Sequence, residues 1–565
     1  MKSLLFKDMK EYSVGKFRAD LIAGLTVAVV LIPQGMAYSL LAGLHPVYGL
    51  YTALVPMIIY PIFASSRHLS VGPVALMSII VLSGVSLFAE PGTQEYLDMV
   101  LMVTFMSGVI QLFFSLFKLG ILSNFLSQPV MKGFISAAGV IIVLSQVKYF
   151  LSLDFERAKS IPKLILKISA NISTGNWYSL ALGAAALLII IGLKKLHKAI
   201  PAAIIVVILG SVAIYHFQLN EQGVPIVGDL PKGLPALSIR FFHWDYLVTL
   251  FPTSFVISVI CFIGSFSMSK TIAMNEDEPP VSANRELLGL GAAKVISSFF
   301  NAFPSTGSFS RSAINQQAGG KTGLASIFGA VFIALTLLFV GHWFYYLPEP
   351  ILAAIVIASV TSLIHIETGV SLYKMDRRDF WIFISTFLFT LFLGIQNGVF
   401  AGIILSLLMI IMRASKPHYA VLGKIPNAEI YRNVQRFEDA ITWPEILIMR
   451  YDDDIFFANA EHFLNAAMKE LDNKPMARHL IIDMSSVSNM DSTGINYVKL
   501  LQKKTRERNI ALYLTGPKGP LRDFLGKNLV YDVVGTKFIY SNIDKAVKHI
   551  LFEQTKISLD KKESL

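Results

Sequence analysis

Long apolar segments, separated by short polar stretches, occupy the first three quarters of the chain. The first half contains segments near residues 21–43, 47–64, 72–88, 99–117, 129–149, 177–193 and 199–217. The second half contains segments near 248–272, 286–300, 308–317, 323–346, 350–366, 379–396 and 398–413. A full membrane-spanning helix needs about 20 apolar residues, so several of these segments are long enough and others are short. The pattern predicts an α-helical polytopic membrane protein with 14 transmembrane segments in two sets of seven.

Two segments differ from the others in how they begin. The segments 72–88 and 308–317, each third in its set, open with Gly, Pro or Ser rather than with Leu. Short or Gly/Pro-interrupted segments at corresponding positions of two halves are the best sequence indication of a transport site between inverted repeats. An odd number of spans per half inverts the second half relative to the first. We therefore expect one repeat over about 20–217 and an inverted repeat over about 248–413, within a transporter domain 20–415.

The stretch 301–322, NAFPSTGSFSRSAINQQAGGKT, is polar although it lies between two apolar segments. Polar or non-helical backbone at membrane depth is tolerated only where it is buried in protein or lines a watery cavity. The stretch therefore indicates a re-entrant or broken helix with one cation, Arg311, near its start. A helix N-terminus beside a guanidinium is suited to binding an anion. From this stretch alone, an ordinary solvated loop between two spans is an equal alternative.

After Lys416 the pattern changes to that of a soluble α/β domain. Residues 446–471 suggest a strand, a turn, a second strand and a helix. A further strand, an amphipathic helix and a last strand are suggested, in this order, by HLIIDMSS, STGINYVKLLQKKTRERN and IALYLTG. Such alternation predicts a mainly parallel sheet covered by helices. We expect this domain over 416–553, followed by a flexible polar tail over 554–565.

Composition supports a membrane protein and excludes several other classes. The 565 residues are 54% hydrophobic and 15% charged, and a mean hydropathy of +0.58 is too high for a soluble protein of this size. No cleavable signal peptide is expected, because the first apolar run is longer than a signal h-region. Cys261 is the single cysteine, which leaves no disulfide or cysteine metal site within one chain. No P-loop, nucleophile triad or metal-ligand cluster is present in the sequence, so we expect neither an enzyme nor a cofactor.

The net charge of +11 is distributed as a topology signal rather than as a nucleic-acid surface. A basic, cytoplasmic N-terminus over 1–19 and an even number of spans place both termini inside the inner (cytoplasmic) membrane. The predicted cytoplasmic loops carry Arg67, Lys118, Lys132, Lys194, Lys195, Lys198, Lys321, Lys374, Arg377, Arg378, Arg413 and Lys416. The predicted outer loops are more acidic, with Glu90, Glu95, Asp98, Glu221, Asp229 and Glu349. The exception is a basic outer segment that could form its own amphipathic helix, with Arg157, Lys159, Lys163 and Lys167.

A spaced pattern after the first span resembles the signature of a known family. Its residues are Pro46, Val47, Tyr48, Gly49, Leu50, Tyr51, Thr52, Ala53, Ile58, Ile59, Tyr60, Ala64, Ser65, Ser66 and Arg67. The pattern resembles that of the sulfate permease (SulP) family of bacterial and plant anion transporters, which are related to animal pendrin and prestin. LIPQGMAYSLLAGL, SRHLSVGP and FSRSAINQQAGGKT are also similar to that family. The C-terminal part resembles a STAS domain, with its Asn489 to Gly494 turn.

The resemblance implies a fold and a site. The fold is two inverted repeats of seven spans, in which a core domain moves against a gate domain as an elevator, plus a cytoplasmic STAS domain. The anion site lies between the facing N-termini of the third and tenth helices, whose positive dipole ends hold the anion. Carried over by position, the substrate-binding residues are Gln34, Tyr38, Pro73, Val74, Ala75, Ser308, Phe309, Ser310 and Arg311.

Each of these side chains also has a purely structural interpretation. The Gln34 amide could satisfy backbone groups freed by Pro33, and Tyr38 could be packing. Arg311 could neutralise a carboxylate, although no intramembrane Asp or Glu lies close in sequence. Ser310 could be an N-cap, a role that would itself shape the site.

The position that decides coupling departs from the family pattern. Many bacterial and plant members carry a carboxylate on the eighth span, and alignment on Ser267 to Thr271 places Gly264 there. The acids Glu276, Asp277 and Glu278 fall in a predicted loop, and His365 and Glu367 lie at the end of a span. Without a buried titratable group near the site, cation-driven symport loses its usual mechanism, so exchange or uncoupled transport is favoured. Proton- or sodium-coupled symport is the alternative.

In the STAS domain, Ser492 after Asp491 resembles the phosphorylated position of soluble anti-sigma-factor antagonists. Ser492 lies at the start of a helix, where a phosphate would be favoured and where Ser also works as an N-cap. A cap or docking role is the alternative to regulation. Three consecutive carboxylates, Asp452 to Asp454, point different ways in a turn and indicate a solvated hairpin rather than a metal site.

The sequence thus predicts a secondary active or facilitative transporter of sulfate, bicarbonate, chloride or a dicarboxylate. The resemblance implies a homodimer formed through the STAS domain and adjoining helices, embedded in membrane lipid, with a cytoplasmic partner of the STAS domain as a further possibility. A rival class is a membrane-anchored STAS regulator whose spans only sense an anion.

Overall fold

A computed structural model describes residues 8–10, 12–124, 127–153, 155, 161–196, 200–231, 233–274, 280–528, 530 and 534–563. The chain divides into two compact units, Met1–Ser406 and Leu407–Leu565. The first unit is helical and apolar, and the second contains a six-stranded sheet with helices. The predicted acids Glu276, Asp277 and Glu278, and also Arg157, Lys159 and Lys198, lie outside the described residues.

Among the described residues, the first predicted repeat contains eight α-helices and one short strand. These are α1 (Val14–Leu41), α2 (Val47–Phe63), β1 (Ser70–Gly72), α3 (Ala75–Val85), α4 (Gln94–Leu116), α5 (Gln128–Phe150), α6 (Ile161–Asn171), α7 (Trp177–Leu196) and α8 (Ala202–Phe217). Helix α6 is the amphipathic helix suggested by the basic outer segment, and it carries Lys163 and Lys167.

The second predicted repeat has a similar order. It contains α9 (Tyr246–Met274), α10 (Ala283–Ser298), β2 (Thr306–Ser308), α11 (Phe309–Gln317), α12 (Leu324–Leu335), α13 (Glu349–Val360), α14 (Ile366–Met375), α15 (Arg377–Leu393) and α16 (Ile395–Ser415). A helix therefore lies in each of the predicted apolar segments.

Eight helical stretches among the described residues are long and apolar enough to cross a membrane, as judged by length and composition. They are Val14–Leu41, Gln94–Leu116, Gln128–Phe150, Trp177–Leu196, Tyr246–Met274, Leu324–Phe344, Glu349–Met375 and Ile395–Ser415. Three apolar helices are shorter, namely α2, α3 and α8. Helices α3 and α11, which follow β1 and β2, are half-spans of 11 and 9 residues.

Two fully buried carboxylates in the first unit, Asp20 and Glu286, accept hydrogen bonds at the ends of helices. Asp20 is fully buried and accepts hydrogen bonds from the backbone N–H groups of Lys321 (2.6 Å) and Thr322 (3.0 Å), just before α12. Glu286, also fully buried, accepts from Tyr60 and from the backbone N–H groups of Ser65 (2.9 Å) and Ser66 (3.1 Å). These donors stabilise charges that burial alone would make costly.

The second unit is an α/β domain. Its elements are β3 (Tyr419–Lys424), β4 (Tyr431–Asn433), β5 (Ile446–Tyr451), α17 (Ala460–Asp472), β6 (His479–Asp483), α18 (Ser492–Glu507), β7 (Ala511–Thr515), α19 (Gly519–Lys527), β8 (Ile539–Tyr540) and α20 (Ile543–Glu563). The strand order is β4-β3-β5-β6-β7-β8, and the four strands from β5 to β8 are parallel. Side chains of β5 alternate between two apolar clusters, one with α17, α18 and α19 and one with α20. The expected helix-covered, mainly parallel sheet is confirmed.

Two local predictions in this domain differ from the structure. The second strand expected after Asp454 is wrong, because Ile455 forms only an isolated bridge with Met490 before the chain turns into α17. The backbone there bonds instead to the Asn489 turn. Helix α20 continues to Glu563, over most of the segment expected to be flexible, because helix-forming Glu, Gln and Lys extend a helix anchored by Ala546, Val547 and Ile550.

Candidate functional site

The two half-spans start from one two-stranded ladder. Strand β1 pairs antiparallel with β2, with Ser70 opposite Ser308, Val71 opposite Gly307 and Gly72 opposite Thr306. Helix α3 follows β1 and helix α11 follows β2, so both helix N-termini lie at this ladder. The antiparallel relation is the one expected of inverted repeats. Each N-terminus carries roughly half a positive charge and free backbone N–H groups.

Arg311 connects the two half-spans. Its side chain is only 1% exposed, and its Nη1 donates to the carbonyl oxygen of Pro73 at 3.0 Å, while Nε donates to Ser70 Oγ at 3.4 Å. Its Nη2 is buried and has no hydrogen-bond partner among the described residues. Its hydrogen bonds go to a hydroxyl and a carbonyl rather than to a carboxylate. The guanidinium therefore keeps Nη2, with its two N–H groups, for a ligand.

Hydroxyl groups from three elements fix the ladder in place. Ser312 Oγ accepts from the Ser70 backbone N–H (2.9 Å) and donates to the Ser308 carbonyl (2.7 Å). Ser265 Oγ on α9 accepts from the Gly307 backbone N–H at 3.0 Å and lies 3.0 Å from the Thr306 hydroxyl. Sequence reasoning did not assign Ser70, Ser265, Thr306 or Ser312 to the site. Thr306 and Ser312 lie in the polar stretch 301–322 and Ser70 lies in the motif SRHLSVGP, whereas Ser265 had no signal.

The start of α11 exposes its polar groups. Phe309 is 53% exposed, and Ser310 is exposed as well. The N-cap position belongs to Ser308, whose side chain makes no capping hydrogen bond and lies 3.3 Å from Ser310 Oγ. The alternative that Ser310 is the N-cap is therefore wrong, because α11 starts at Phe309 and Ser310 is already its second helical residue. The two hydroxyls hydrogen-bond to each other next to the first-turn N–H groups, where an anion could accept from them.

The start of α3 contributes mainly backbone. Pro73 supplies its carbonyl oxygen to Arg311, and Val74 is the extended N-cap residue, with φ −143° and ψ 141°. Ala75 is the first helical residue and is 2% exposed. Because Val74 has no side-chain hydroxyl, no side chain caps the first N–H groups of α3, which leaves them for a ligand.

Helix α1 packs against both half-spans and carries Gln34 and Tyr38. Gln34 Oε1 is buried without a hydrogen-bond partner in the described part of the chain, so this acceptor is open to a donor. Tyr38 is 5% exposed, and its ring joins the large apolar cluster of the first unit, which fits the packing interpretation. Gly35 between them faces Pro73, whose Cγ lies 3.5 Å from where a Cβ at position 35 would be.

Gly264 lies on α9 next to Ser265, and a Cβ placed on it would meet nothing within 4 Å. The position expected to hold a coupling carboxylate therefore adjoins open space. His365 and Glu367 lie at the beginning of α14, where His365 is the N-cap residue and Glu367 is exposed, as expected of a boundary.

A cavity of about 500 Å³ lies away from these residues. Its polar lining includes His45, Tyr48, Gln94 and Glu349. Burial lowers the pKa of His45, which lies in the turn between α1 and α2. None of the predicted substrate-binding residues lines this cavity, so the anion site proposed below is not this space.

In the second unit, the Asn489 turn precedes α18. Asp491, not Ser492, is the N-cap, because its Oδ1 accepts from the Gly494 N–H at 2.8 Å. Its Oδ2 accepts from the Phe457 N–H at 2.9 Å. Ser492 is the first helical residue and is exposed. A cap role for Ser492 is therefore wrong, and modification of its hydroxyl stays a prediction.

Replacing Asp491 with Ala is expected to destabilise the start of α18 by about 1–2 kcal/mol, because two backbone donors lose their acceptor. Hydrogen–deuterium exchange of the full chain measures this as faster exchange at Gly494 and Phe457. Asp491→Asn, which keeps one acceptor oxygen, is the control and should show a smaller change. Equal exchange in the Ala variant and the unaltered protein would contradict the cap assignment.

The fold and the ladder site define a helical membrane transporter with a C-terminal α/β domain. The sequence profile described as "Sulfate permease family" matches residues 17–386, and that of the STAS domain matches residues 439–546. The chain belongs to the sulfate permease family and carries a STAS domain. This is a family of transporters, not of enzymes.

Similar proteins cover most of the chain. The chain is 34% identical to sulfate transporter 4.1, chloroplastic, of Arabidopsis thaliana over 550 residues, which are 94% of this chain and 80% of that protein. It is 31% identical to high affinity sulfate transporter 2 of Stylosanthes hamata over 560 residues, 95% of this chain and 84% of that protein.

Two solved structures share the fold. Murine solute carrier 26 family member A9, described as an anion transporter in the inward-facing state, aligns with a TM-score of 0.89 at 24% identity over 98% of this chain and 94% of that one. The transmembrane domain of a cyanobacterium bicarbonate transporter aligns with a TM-score of 0.60 at 22% identity over 70% of this chain and 98% of that one. These identities support the fold rather than a substrate.

Proposed function

We propose that the protein carries a small oxyanion, with sulfate as the first candidate, at the ladder between α3 and α11. The observation that carries this proposal is the unpartnered Nη2 of Arg311, buried between two helix N-termini. The plant relatives named as sulfate transporters support sulfate, and the neighbour named as a bicarbonate transporter supports a small oxyanion more generally.

The chemistry of the site favours an anion with several acceptor oxygens. The available donors are Arg311 Nη2, the hydroxyls of Ser308 and Ser310, and the first-turn N–H groups of both half-spans. A tetrahedral oxyanion can accept from several of them at once. Helix dipoles and neutral donors bind an anion less tightly than a full set of cations would. The moderate affinity permits release of the anion.

Transport requires that this site reach each side of the membrane in turn. We propose an elevator-type movement of the core with the site, and a homodimer in the cytoplasmic membrane with both termini in the cytoplasm. Because Gly264 leaves no carboxylate next to Ser265, we propose exchange or uncoupled transport. Symport and the membrane-anchored regulator are the alternatives to be tested.

Radiolabelled sulfate uptake into proteoliposomes tests these proposals. Uptake that requires an anion on the other side supports exchange, and uptake without one supports uncoupled transport. Uptake that follows an imposed proton or sodium gradient would overturn both in favour of symport. Absence of flux for any of sulfate, bicarbonate, chloride and a dicarboxylate would favour the regulator.

Replacing Gly264 with Glu is expected to give uptake a new pH dependence. Open space at this position admits the side chain, and its ionised carboxylate would repel the anion and lower uptake at neutral pH by roughly tenfold. Protonation removes the repulsion, so uptake should recover as pH falls and should then follow an inward proton gradient. Initial uptake rates between pH 5 and 8 measure this.

Gly264→Ala is the matched control, since it adds a Cβ to the same open space without a charge. It should keep the pH profile of the unaltered protein. An unchanged pH profile in the folded Glu variant would show that position 264 does not face the transported anion.

A further inference from the structure

Lys294 is a fully buried lysine that the proposed site does not contact. It lies on α10, which packs against α2, α4 and α9, and its exposed fraction is 0%. Burying an ammonium group is costly unless the protein compensates for the lost hydration. A charged lysine at this position must therefore be stabilised by its neighbours or serve a function.

The partners of Lys294 are neutral or weakly polar groups. Its Nζ donates to Gln111 Oε1 on α4 at 2.9 Å and to Cys261 Sγ on α9 at 2.8 Å. Gln111 is held in turn by the Ser258 carbonyl, to which its Nε2 donates at 2.9 Å. Among the ion pairs of the described residues, none joins Lys294 to a carboxylate. Its positive charge is thus not cancelled by a direct partner.

The buried carboxylate on the same helix is already engaged. Glu286 lies eight residues earlier on α10, about 12 Å along the axis at about 1.5 Å per residue. Tyr60, Ser65 and Ser66 donate to it. Lys294 and Glu286 therefore occupy separate polar clusters.

The Lys294 cluster borders the segment that forms the ladder. Cys261 Sγ, which accepts from Lys294, lies 3.4 Å from the Ser305 carbonyl oxygen, and Thr306 Oγ1 lies 3.5 Å from the Cys261 carbonyl oxygen. Ser305 precedes Ser308 by three residues of extended chain, about 10 Å at about 3.3 Å per residue. The path from the lysine charge to Ser308, the first hydroxyl of the site, is thus at most on the order of 15 Å long.

We propose that Lys294 is a specificity-determining residue that supplies a second fixed positive charge to the anion site and favours divalent over monovalent anions. The inference rests on the proposed function and adds a substrate class to it. At about 15 Å and an effective dielectric of about 20, one unit charge changes the affinity for a monovalent anion by roughly sixfold. For a divalent anion the factor is squared, so the preference for divalent anions depends on Lys294.

Sulfate and perchlorate are suitable probes because both are tetrahedral but differ in charge. The full-length protein in proteoliposomes is measured for the KM of sulfate uptake and for the inhibition constant of perchlorate against it. Lys294→Met, which keeps a flexible chain without charge, should raise the sulfate KM and lower the sulfate preference over perchlorate roughly sixfold. Lys294→Arg, which keeps the charge, should retain the preference of the unaltered protein.

A role in packing alone predicts a different result. It would lower the maximal rate for both substitutions and leave the preference unchanged, which would overturn the inference. An equal loss of preference in the Arg variant would also overturn it. Lys294→Gln replaces the Met variant if that protein does not fold, with the same expected loss of preference.

Failure of the proposed function gives a separate signature. If the unaltered protein does not transport sulfate, or if perchlorate does not inhibit its sulfate uptake, the proposed site is wrong and the inference falls with it. If the unaltered protein prefers sulfate and Lys294→Met keeps that preference, only the inference is wrong. Cys261→Ala, which removes one Lys294 contact but keeps the charge, should leave the preference intact.

Discussion

Replacing Arg311 with Met is expected to reduce anion uptake at least about a hundredfold. The substitution removes the unpartnered Nη2 that the site offers to the anion and the charge beside both helix N-termini. It also removes the hydrogen bonds to Pro73 and Ser70 that join α11 to the turn before α3. Charge-assisted hydrogen bonds in a water-poor site contribute a few kcal/mol each, which is the size of effect expected here. Initial rates of radiolabelled sulfate uptake measure it.

Two control variants distinguish loss of the Arg311 hydrogen bonds from loss of a positive charge. Lys270→Met removes an exposed cation from α9 and should leave uptake unchanged. Arg311→Lys keeps a charge but lacks the planar group that bonds Pro73 and Ser70 together, so its uptake should be intermediate. Uptake by a folded Arg311→Met protein within twofold of the unaltered rate would reject the ladder as the anion site.

The apolar segments were predictable from the sequence because a helix that crosses a bilayer needs a long run of apolar residues, which hydropathy detects directly. Helices start within a few residues of most predicted bounds, for example at Gln128 for the segment from 129 and at Trp177 for the segment from 177. The half-spans were predictable from their Gly, Pro and Ser beginnings. Arg311 stood out because a lone cation at membrane depth requires a function or a partner.

The ladder itself was not predictable by pattern reasoning. Strands β1 and β2 have three residues each, too few for a period-two signal, and their pairing joins Ser70 to Ser308 across most of the first unit. Ser265 has the same difficulty, because an isolated Ser on an apolar helix usually bonds to its own backbone. Only the folded chain shows that it accepts from Gly307.

The sequence prediction of exchange or uncoupled transport assumes that no buried titratable group lies near the anion site, because Gly264 stands where a carboxylate is expected. The structure shows a buried titratable group, Lys294, close to the ladder. Lys294 lies within the apolar segment 286–300, and its cluster touches Ser305 and Thr306 through Cys261. Contacts among α4, α9 and α10 have no local sequence signature, so the lysine could not be placed from sequence.

Two buried carboxylates and two buried basic side chains in the described part of the first unit differ in how their charges are compensated, and this difference favours binding of an anion. The carboxylates of Asp20 and Glu286 are surrounded by N–H and O–H donors. The cation of Arg311 retains a free donor, and that of Lys294 has no carboxylate partner among the described residues. The uncompensated charge near the ladder is therefore positive, and an anion can complete it.

Replacing Gly49 with Ala is expected to destabilise the protein by about 3 kcal/mol or more and to abolish uptake in any protein that remains folded. A Cβ at position 49 would lie 1.9 Å from the Gly35 carbonyl oxygen and 2.4 Å from its carbon, at the crossing of α2 with α1. Both are backbone atoms, which cannot move aside as a side chain can, so the helices must separate. Because α1 carries Gln34 and Tyr38 against both half-spans, that separation opens the site. Melting temperature in detergent and sulfate uptake measure the two effects.

A graded pair of variants tests whether the crossing is responsible. Gly35→Ala brings its Cβ only to 3.2 Å from the Gly49 carbonyl oxygen, so its effect should be intermediate. Gly192→Ala on α7 meets nothing within 4 Å and should leave stability within about 0.5 kcal/mol. Equal melting temperatures for the Gly49 and Gly192 variants would mean that α1 and α2 do not cross at this distance. Melting temperatures that decrease from the Gly192 variant to the Gly35 variant to the Gly49 variant would instead show that the close approach of Gly35 and Gly49 holds α1, and with it Gln34, in place.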